Sequence, residues 1–171
     1  LKVYKSLGLR DKDSEGNRVA VDDPRLSPIW DVCGELGIPV LIHSADPFPF
    51  WQAKDEKNER WYELKEKPNR FYGESDFIPP FEDIIEEQHR MFKRHPNTTF
   101  INAHLGWLAH DLERLGKHLD EHPNVVTEFG AVIAELGRQP IAARKFMIKY
   151  QDRIMFGKDA YKKEEYYLYF R

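Results

Sequence analysis

Thr99-Phe100-Ile101-Asn102-Ala103-His104 is a short apolar run that ends in a histidine, and runs of this kind predict the fold. Four further runs of the same kind lie at residues 2–5, 39–43, 124–128 and 153–157. Runs that are apolar at nearly every position are typical of strands buried on both faces of a parallel sheet. The sequence therefore predicts about five parallel strands, one for each run.

Amphipathic patterns between these runs predict helices. The pair Asp23-Pro24 is a helix N-cap followed by proline at the first helical position, and Gly37 closes that helix. Apolar residues also recur at helical spacing over residues 81–94, 107–122 and 141–150. Most strand-to-strand spacings are roughly 25 to 35 residues, as βα units require. The right-handed crossover rule then favours an α/β fold with an all-parallel sheet.

One spacing breaks this alternation, because a much longer segment separates the second and third runs. The surplus, residues 46–78, is rich in proline and predicts an inserted loop with a short helix near residues 57–65. Its aromatic residues would form a lid over the active-site mouth, a subunit contact or, in a binding protein, a stacking surface. They are Phe48, Phe50, Trp51, Trp61, Tyr62, Phe71 and Tyr72.

The composition of the 171-residue chain excludes several classes of function. A formal net charge of -3 gives no reason to expect nucleic acid, and no apolar run approaches the roughly 20 residues of a membrane helix. Cys33 is the only cysteine, which excludes intrachain disulfides and thiolate-rich metal sites. Neither nucleic acid nor a membrane is therefore an expected partner, and assembly into a homo-oligomer is left open.

Both ends of the sequence suggest that the chain is an internal piece. Residues 1–5 already form a predicted strand without an initiator methionine, and residues 166–170 are a run of large side chains that need packing partners. The absence of a leader therefore carries no information about the compartment. The location is left open, with the cytoplasm slightly favoured.

Polar residues fall where the predicted strands end. His43 and His104 end the second and third strands, Glu128 ends the fourth, and Asp159 follows the fifth. The carboxyl ends of parallel strands lie at one edge of the sheet, so these side chains are expected to converge on one mouth. Two imidazoles and a carboxylate suit a divalent metal such as zinc or iron. Such a metal activates water, and the carboxylate can accept the proton of that water.

The remaining histidines have simpler expected roles. His95 and His122 each precede a proline at a helix end and are predicted to cap those helices. His89 and His118 lie within predicted helices, where solvated side chains are expected. His110 lies near the mouth by its position in the chain and is kept as a possible substrate contact.

These strand-end motifs resemble a known family. Residues 40–43, 100–106, 123–128 and 152–160 are similar to strands five to eight of the amidohydrolase-related family, and residues 1–9 are similar to its fourth strand and the following loop. Members of this family are metal-dependent hydrolases and decarboxylases built on a (β/α)₈ TIM barrel. The resemblance covers nearly the whole chain except the insertion.

The resemblance implies specific roles for the strand-end residues. His43 would be a metal ligand, and Asp159 would be both a metal ligand and the general base. His104 would bind a second metal or act as an acid/base histidine. The implied metal is most often zinc, with manganese or iron as alternatives.

Three further residues are predicted to contact the substrate: Glu128, Lys2 and Trp107. Either Lys2 or Lys5 lies on the strand where some members carry a bridging carboxylated lysine.

The sequence also departs from the family pattern. No His-x-His motif, which supplies two further ligands from the first strand of the family, occurs in the chain, and Gly157-Lys158-Asp159 replaces the usual Gly-Thr-Asp. We therefore expect residues 1–171 to be a single partial TIM-barrel domain without its first three βα units and its C-terminal end. An open barrel exposes two sheet edges, so the chain alone is expected to be marginally stable and inactive.

The predicted function of the parent protein is hydrolysis of a small amide, ester or lactone through a metal-activated water. The first alternative is non-oxidative decarboxylation by the same family. The second is a metal-free barrel that binds a sugar or another ligand without catalysis.

Overall fold

The structure is a computed structural model that describes residues 1–160, and its centre is a five-stranded parallel sheet. Each strand is hydrogen-bonded to the next in chain order. A doubly wound sheet reverses its strand order at a switch point, whereas this order is that of a barrel segment. The α/β fold of a partial TIM barrel is thus confirmed. The strands are β1 Lys2–Val3, β2 Val40–Ile42, β3 Phe100–Asn102, β4 Val125–Glu128 and β5 Ile154–Met155.

Helices connect successive strands and cover one face of the sheet. The α-helices are α1 Ser6–Leu9, α2 Ser27–Glu35, α3 Trp61–Glu66, α4 Phe81–Arg94, α5 Leu112–Glu121, α6 Ile133–Gly137 and α7 Pro140–Lys149. Shorter 3₁₀ turns lie at Pro24–Leu26, Phe48–Trp51, Pro68–Arg70, Ala103–Trp107 and Gln151–Arg153. No helix of residues 1–160 has the length and apolar character needed to cross a membrane.

The helix boundaries show which of the predicted helices the sequence patterns located correctly. The prediction for α4 is confirmed at both ends. Asp23 accepts a hydrogen bond from the backbone of Arg25 at 2.9 Å, which caps the turn leading into α2. The predicted start at Trp107 is wrong, because α5 begins at Leu112 after the cap residue Asp111. Trp107 itself has a φ of 59°, which no right-handed helix allows.

The two faces of the sheet differ in burial. Val40, Phe100 and Val125 point towards the helices and are 0%, 0% and 3% exposed. Leu41 and Ile101, which point to the opposite, concave face, are only partly buried. The helix layer therefore contributes most of the apolar core, and the concave face is the accessible one.

The insertion has a small core of its own, formed by Phe50, Leu64 and Tyr72. The predicted short helix is present as α3. Most of the aromatic side chains of the insertion are at least partly buried, and Tyr62 is the fully exposed exception at 81%. This packing does not favour the stacking surface that a sugar-binding protein would need. The aromatic run at residues 166–170 lies outside the described residues.

Candidate active site

The carboxyl ends of four strands deliver polar side chains to one edge of the sheet. The ring centroids of His43, after β2, and His104, after β3, are 4.5 Å apart with the rings nearly perpendicular. His104 Nε2 lies 3.5 Å from Oδ1 of Asp159, which follows β5. Glu128, at the end of β4, lies 3.1 Å from His104 Nδ1. The structure thus brings the predicted strand-end residues together around His104.

The backbone that presents His104 is a left-handed turn. His104, Leu105, Gly106 and Trp107 have φ angles of 58°, 54°, 59° and 59°. Each residue other than glycine in this region costs roughly 1–2 kcal/mol, so the turn is strained. A side chain at Gly106 would also collide with the Asn102 amide. Backbone strain of this kind is concentrated at functional sites, where the surrounding structure enforces it.

Glu128 holds this turn in place. Its Oε1 accepts a hydrogen bond from the His104 backbone N–H at 2.6 Å, and its Oε2 accepts one from Gly130 at 2.6 Å. The Gly130 carbonyl lies 2.9 Å from His104 Nδ1 and can only accept, so Nδ1 carries the proton. The lone pair of the neutral ring is therefore on Nε2, on the side of Asp159. This geometry favours an orienting role for Glu128 over the predicted substrate contact.

A buried pair of amide side chains, Asn102 and Gln88, connects helix α4 to the strand ends. Asn102 Nδ2 donates to Gln88 Oε1 at 2.8 Å, and Gln88 Nε2 donates back to Asn102 Oδ1 at 3.1 Å. The same Gln88 nitrogen also donates to Ser44 Oγ, next to His43. Helix α4 is thereby fastened to the ends of β2 and β3, where both histidines emerge. This network could not be predicted from the sequence, because it depends on which face of α4 packs against the sheet.

The two histidines have opposite electrostatic surroundings. Burial, together with the nearby His104, Lys5 and Lys2, lowers the pKa of His43 to about 3. Burial also opposes charge on His104, but contacts with Glu128, Asp159 and the Gly130 carbonyl outweigh it and raise the pKa of His104. His43 is therefore neutral near pH 7 and has a lone pair available for a ligand.

Unpartnered nitrogens make this donor set suitable for a metal. His43 Nε2 and His104 Nε2 are buried and have no hydrogen-bond partner among residues 1–160. Neutral imidazole nitrogens and a nearby carboxylate fit zinc or iron chemically. The three donor atoms are not yet in a compact ligand arrangement, and the Asp159 side chain, 70% exposed, is the group free to move.

A cavity of about 200 Å³ opens beside these groups. Among its lining residues are Lys2, His104, Glu128, Lys158 and Asp159, with apolar residues of β2 and β3 forming one wall. Trp107 packs against both histidine rings, with centroid distances of 5.7 Å to His43 and 4.8 Å to His104.

Of the two lysines considered for carboxylation, only one lines this cavity. Lys5 Nζ is 2.7 Å from Asp46 Oδ1 in an ion pair outside the cavity. Lys2 is therefore the better placed of the two to meet a substrate. His110 stacks on Phe48 with a centroid distance of 4.8 Å, and it is not among the residues that line the cavity.

Some predictions for the other histidines are wrong. His89, expected to be solvated, is only 9% exposed. The side chain of His118 is 18% exposed, and His122 is 7% exposed. Within residues 1–160 these three form the group of metal-type donors whose atoms all lie within 4.8 Å of one another. Their four-residue spacing from His118 to His122 was the available sequence indication.

Comparison with known proteins shows the family of the chain. The family model described as Amidohydrolase matches residues 7–164. A crystal structure of an uncharacterised TIM-barrel protein from Bordetella bronchiseptica is similar, at 18% sequence identity and a TM-score of 0.46. The alignment covers 82% of this chain and 39% of that one, so the chain spans about two-fifths of the length of that protein. Comparison with curated proteins gives no match.

Proposed function

Because the chain belongs to the amidohydrolase family, we propose that it carries part of the active site of a metal-dependent hydrolase. The substrate would be a small amide, ester or lactone. The observation that carries this proposal is the pair of buried Nε2 atoms of His43 and His104, neither of which has a hydrogen-bond partner among residues 1–160, with Asp159 Oδ1 3.5 Å from the His104 atom. Burying a polar atom without a partner is unfavourable, so these atoms are best explained by a ligand that binds there.

In this proposal His43, His104 and Asp159 hold a divalent metal. Zinc is the metal proposed first, with manganese or iron as alternatives. A bound metal of this kind supplies a water of lowered pKa and polarises the substrate carbonyl. The family pattern requires further ligands, and we infer that they come from strands of the whole protein that continue this sheet.

The residues of the chain itself have separable tasks. Asp159 accepts the proton of the attacking water and is exposed enough to pass it to the leaving group. Glu128 fixes the His104 ring through the left-handed turn. Lys2 places a positive charge in the cavity, where it can bind a substrate oxygen. Trp107 forms an apolar wall against both imidazoles and limits the access of bulk water.

A second candidate is non-oxidative decarboxylation. Both Lys2 and Lys158 line the cavity, and two cations suit a substrate that carries a carboxylate. In this reaction His104 would deliver the proton that replaces the lost carboxyl group. Release of carbon dioxide identifies decarboxylation, whereas formation of a new carboxylate identifies hydrolysis.

The test uses the whole protein, a panel of small esters, lactones and amides, and a panel of aromatic acids. Removal of the metal with a chelator should abolish turnover, and one divalent ion should restore it. Asp159→Asn should lower kcat by about 1000-fold or more. The exposed Asp152→Asn is the matched control and should retain activity. Full activity of the metal-free protein, or of Asp159→Asn, would refute the proposal.

A further inference from the structure

A second group of histidines lies in the helix layer, away from the cavity. His89 is on α4, His118 is on α5, and His122 directly follows α5. The ring centroids of His89 and His118 are 3.5 Å apart, and those of His89 and His122 are 5.5 Å apart. Each ring has a nitrogen within 4.8 Å of the corresponding nitrogens of the other two. We call these three residues the outer cluster.

The helix geometry explains why these rings meet. Residues four positions apart lie on the same face of a helix, so His118 and His122 point towards the same neighbour. That neighbour is α4, which presents His89 beside Phe92. Two histidines at this spacing on one helix face are the arrangement that zinc proteins use for a pair of ligands.

The hydrogen-bonding potential of the cluster is poorly satisfied. His118 Nδ1 is buried and has no hydrogen-bond partner in the described part of the chain. Arg114 Nε donates to His118 Nε2 only at the long distance of 3.4 Å. The nearest carboxylate oxygen, Oε2 of Glu121, is 4.0 Å from His118 Nδ1. A packing role alone leaves a buried polar atom without a partner, which is unfavourable.

The rings are also in the protonation state that a metal requires. Burial and the neighbouring His118 and His122 lower the pKa of His89 to about 2. Burial and Arg114 lower the pKa of His118 to about 4. Neutral rings each keep one lone pair, so no proton has to be displaced from a charged imidazole before an ion binds.

We propose that His89, His118 and His122 form a zinc site that fastens α4 to the C-terminal end of α5. Three imidazole nitrogens would be the protein ligands, and the carboxylate of Glu121 or a water would take the fourth position. Zinc–nitrogen distances near 2.1 Å place tetrahedral ligands about 3.4 Å apart, so the ring nitrogens must approach one another by at most roughly 1.4 Å. Rotation of the side chains, above all the partly exposed His118, provides this movement.

This site is distinct from the proposed active site. The mouth residues follow the carboxyl ends of the strands, whereas His122 lies on the amino side of β4, before Val125. The outer cluster is on the helix-covered face of the sheet and does not line the cavity. A zinc ion here would therefore be structural: it would add a link between two helices that already share apolar packing and the ion pair of Arg114 with Glu82.

The first test separates the outer cluster from the mouth by removing the two mouth histidines. In the whole protein carrying His43→Asn and His104→Asn, a zinc titration against a chromophoric chelator should show one tightly bound ion per chain. Adding His118→Asn should weaken that binding by about 100-fold or more. Adding His110→Asn, a half-buried ring outside the outer cluster, should not change it. Equal zinc affinity with and without His118 would overturn the proposal.

The second test does not depend on the folding of variants. Crystals of the unaltered protein, grown or soaked with zinc, should show an anomalous peak between the three rings at the zinc absorption edge. The peak should be absent when data are collected below that edge. Zinc-soaked crystals with no peak at the outer cluster would contradict the proposal, whatever the mouth contains.

Discussion

The mouth histidines and the outer cluster contain the same side chain, largely buried in both places, in different chemical surroundings. His104 has Glu128 and Asp159 within 3.5 Å, and these carboxylates raise its pKa in spite of burial. His89 has imidazole neighbours instead, and its pKa falls to about 2. Burial among other imidazoles thus favours the neutral form of a histidine, whereas burial beside carboxylates favours its protonated form.

The two groups also differ in what holds them in position. At the mouth, backbone hydrogen bonds and a strained turn fix the His104 ring, so this ring is oriented before any ligand arrives. The outer cluster depends on the packing of two helices, and its rings must close around an ion. We therefore expect changes at the mouth to alter catalysis and changes at the outer cluster to alter stability.

The largest expected effect separates these outcomes directly. His104→Asn should lower kcat/KM by about 1000-fold, equivalent to about 4 kcal/mol of transition-state stabilisation, because it removes a proposed metal ligand. Zinc binding by the outer cluster should be unchanged in the same variant. If His104→Asn also weakened zinc binding at the outer cluster, the two groups of histidines would be coupled, which would contradict their independence.

Metal-dependent stability gives the next largest effect. In the whole protein carrying His43→Asn and His104→Asn, zinc at about 100 times its Kd should add about 2.7 kcal/mol to the free energy of unfolding. That corresponds to a rise in Tm of roughly 5–10 °C for a domain of about 150–250 residues, and to a smaller rise in a longer protein. Calorimetry with zinc and then with excess chelator measures the shift. A Tm that does not respond to zinc would argue for packing alone.

A glycine substitution tests how closely the side chains at the mouth are packed. Gly157 faces Glu128 so closely that an added Cβ would collide with its carboxylate. Gly157→Ala should therefore displace Glu128, cost about 1–3 kcal/mol of stability and reduce turnover. Gly137→Ala is the matched control, because nothing lies within 4 Å of its Cβ position. Chemical denaturation of both variants checks this, and equal stabilities would mean that the mouth is less tightly packed than described.

The smallest expected effect concerns the charge beside the outer cluster. Arg114 contributes a positive charge and a weak hydrogen bond to His118, and both oppose a cation at that ring. Arg114→Gln should strengthen zinc binding by about threefold to tenfold. Lys117→Gln, which alters an exposed lysine of the same helix, should have little effect. Weaker zinc binding by Arg114→Gln would mean that Arg114 supports the site.

The sequence was sufficient for the sheet and for the strand ends. Buried parallel strands are apolar at nearly every position, and β2 to β4 were visible for that reason. Chain order then placed His43, His104, Glu128 and Asp159 at one edge, since parallel strands share their carboxyl side. These conclusions need only the local pattern and the direction of the strands.

Other features depend on contacts that local patterns do not contain. Leu105 and Trp107 do not favour positive φ, so the left-handed turn was invisible and the start of α5 was predicted too early. The outer cluster was missed because the burial of His89 depends on how α4 packs against α5. The link from Gln88 to Asn102 was missed for the same reason.

The hydrogen bond from His104 N–H to Glu128 makes one imidazole depend on two neighbouring strands. Its ring is carried by the segment after β3, but its direction is set by the carboxylate at the end of β4 and by the Gly130 carbonyl. Anyone who grafts loops onto this scaffold to change its specificity should therefore transfer residues 102–107 and 128–130 as one module. If only one segment were exchanged, the His104 ring and the groups that orient it would come from different parent proteins.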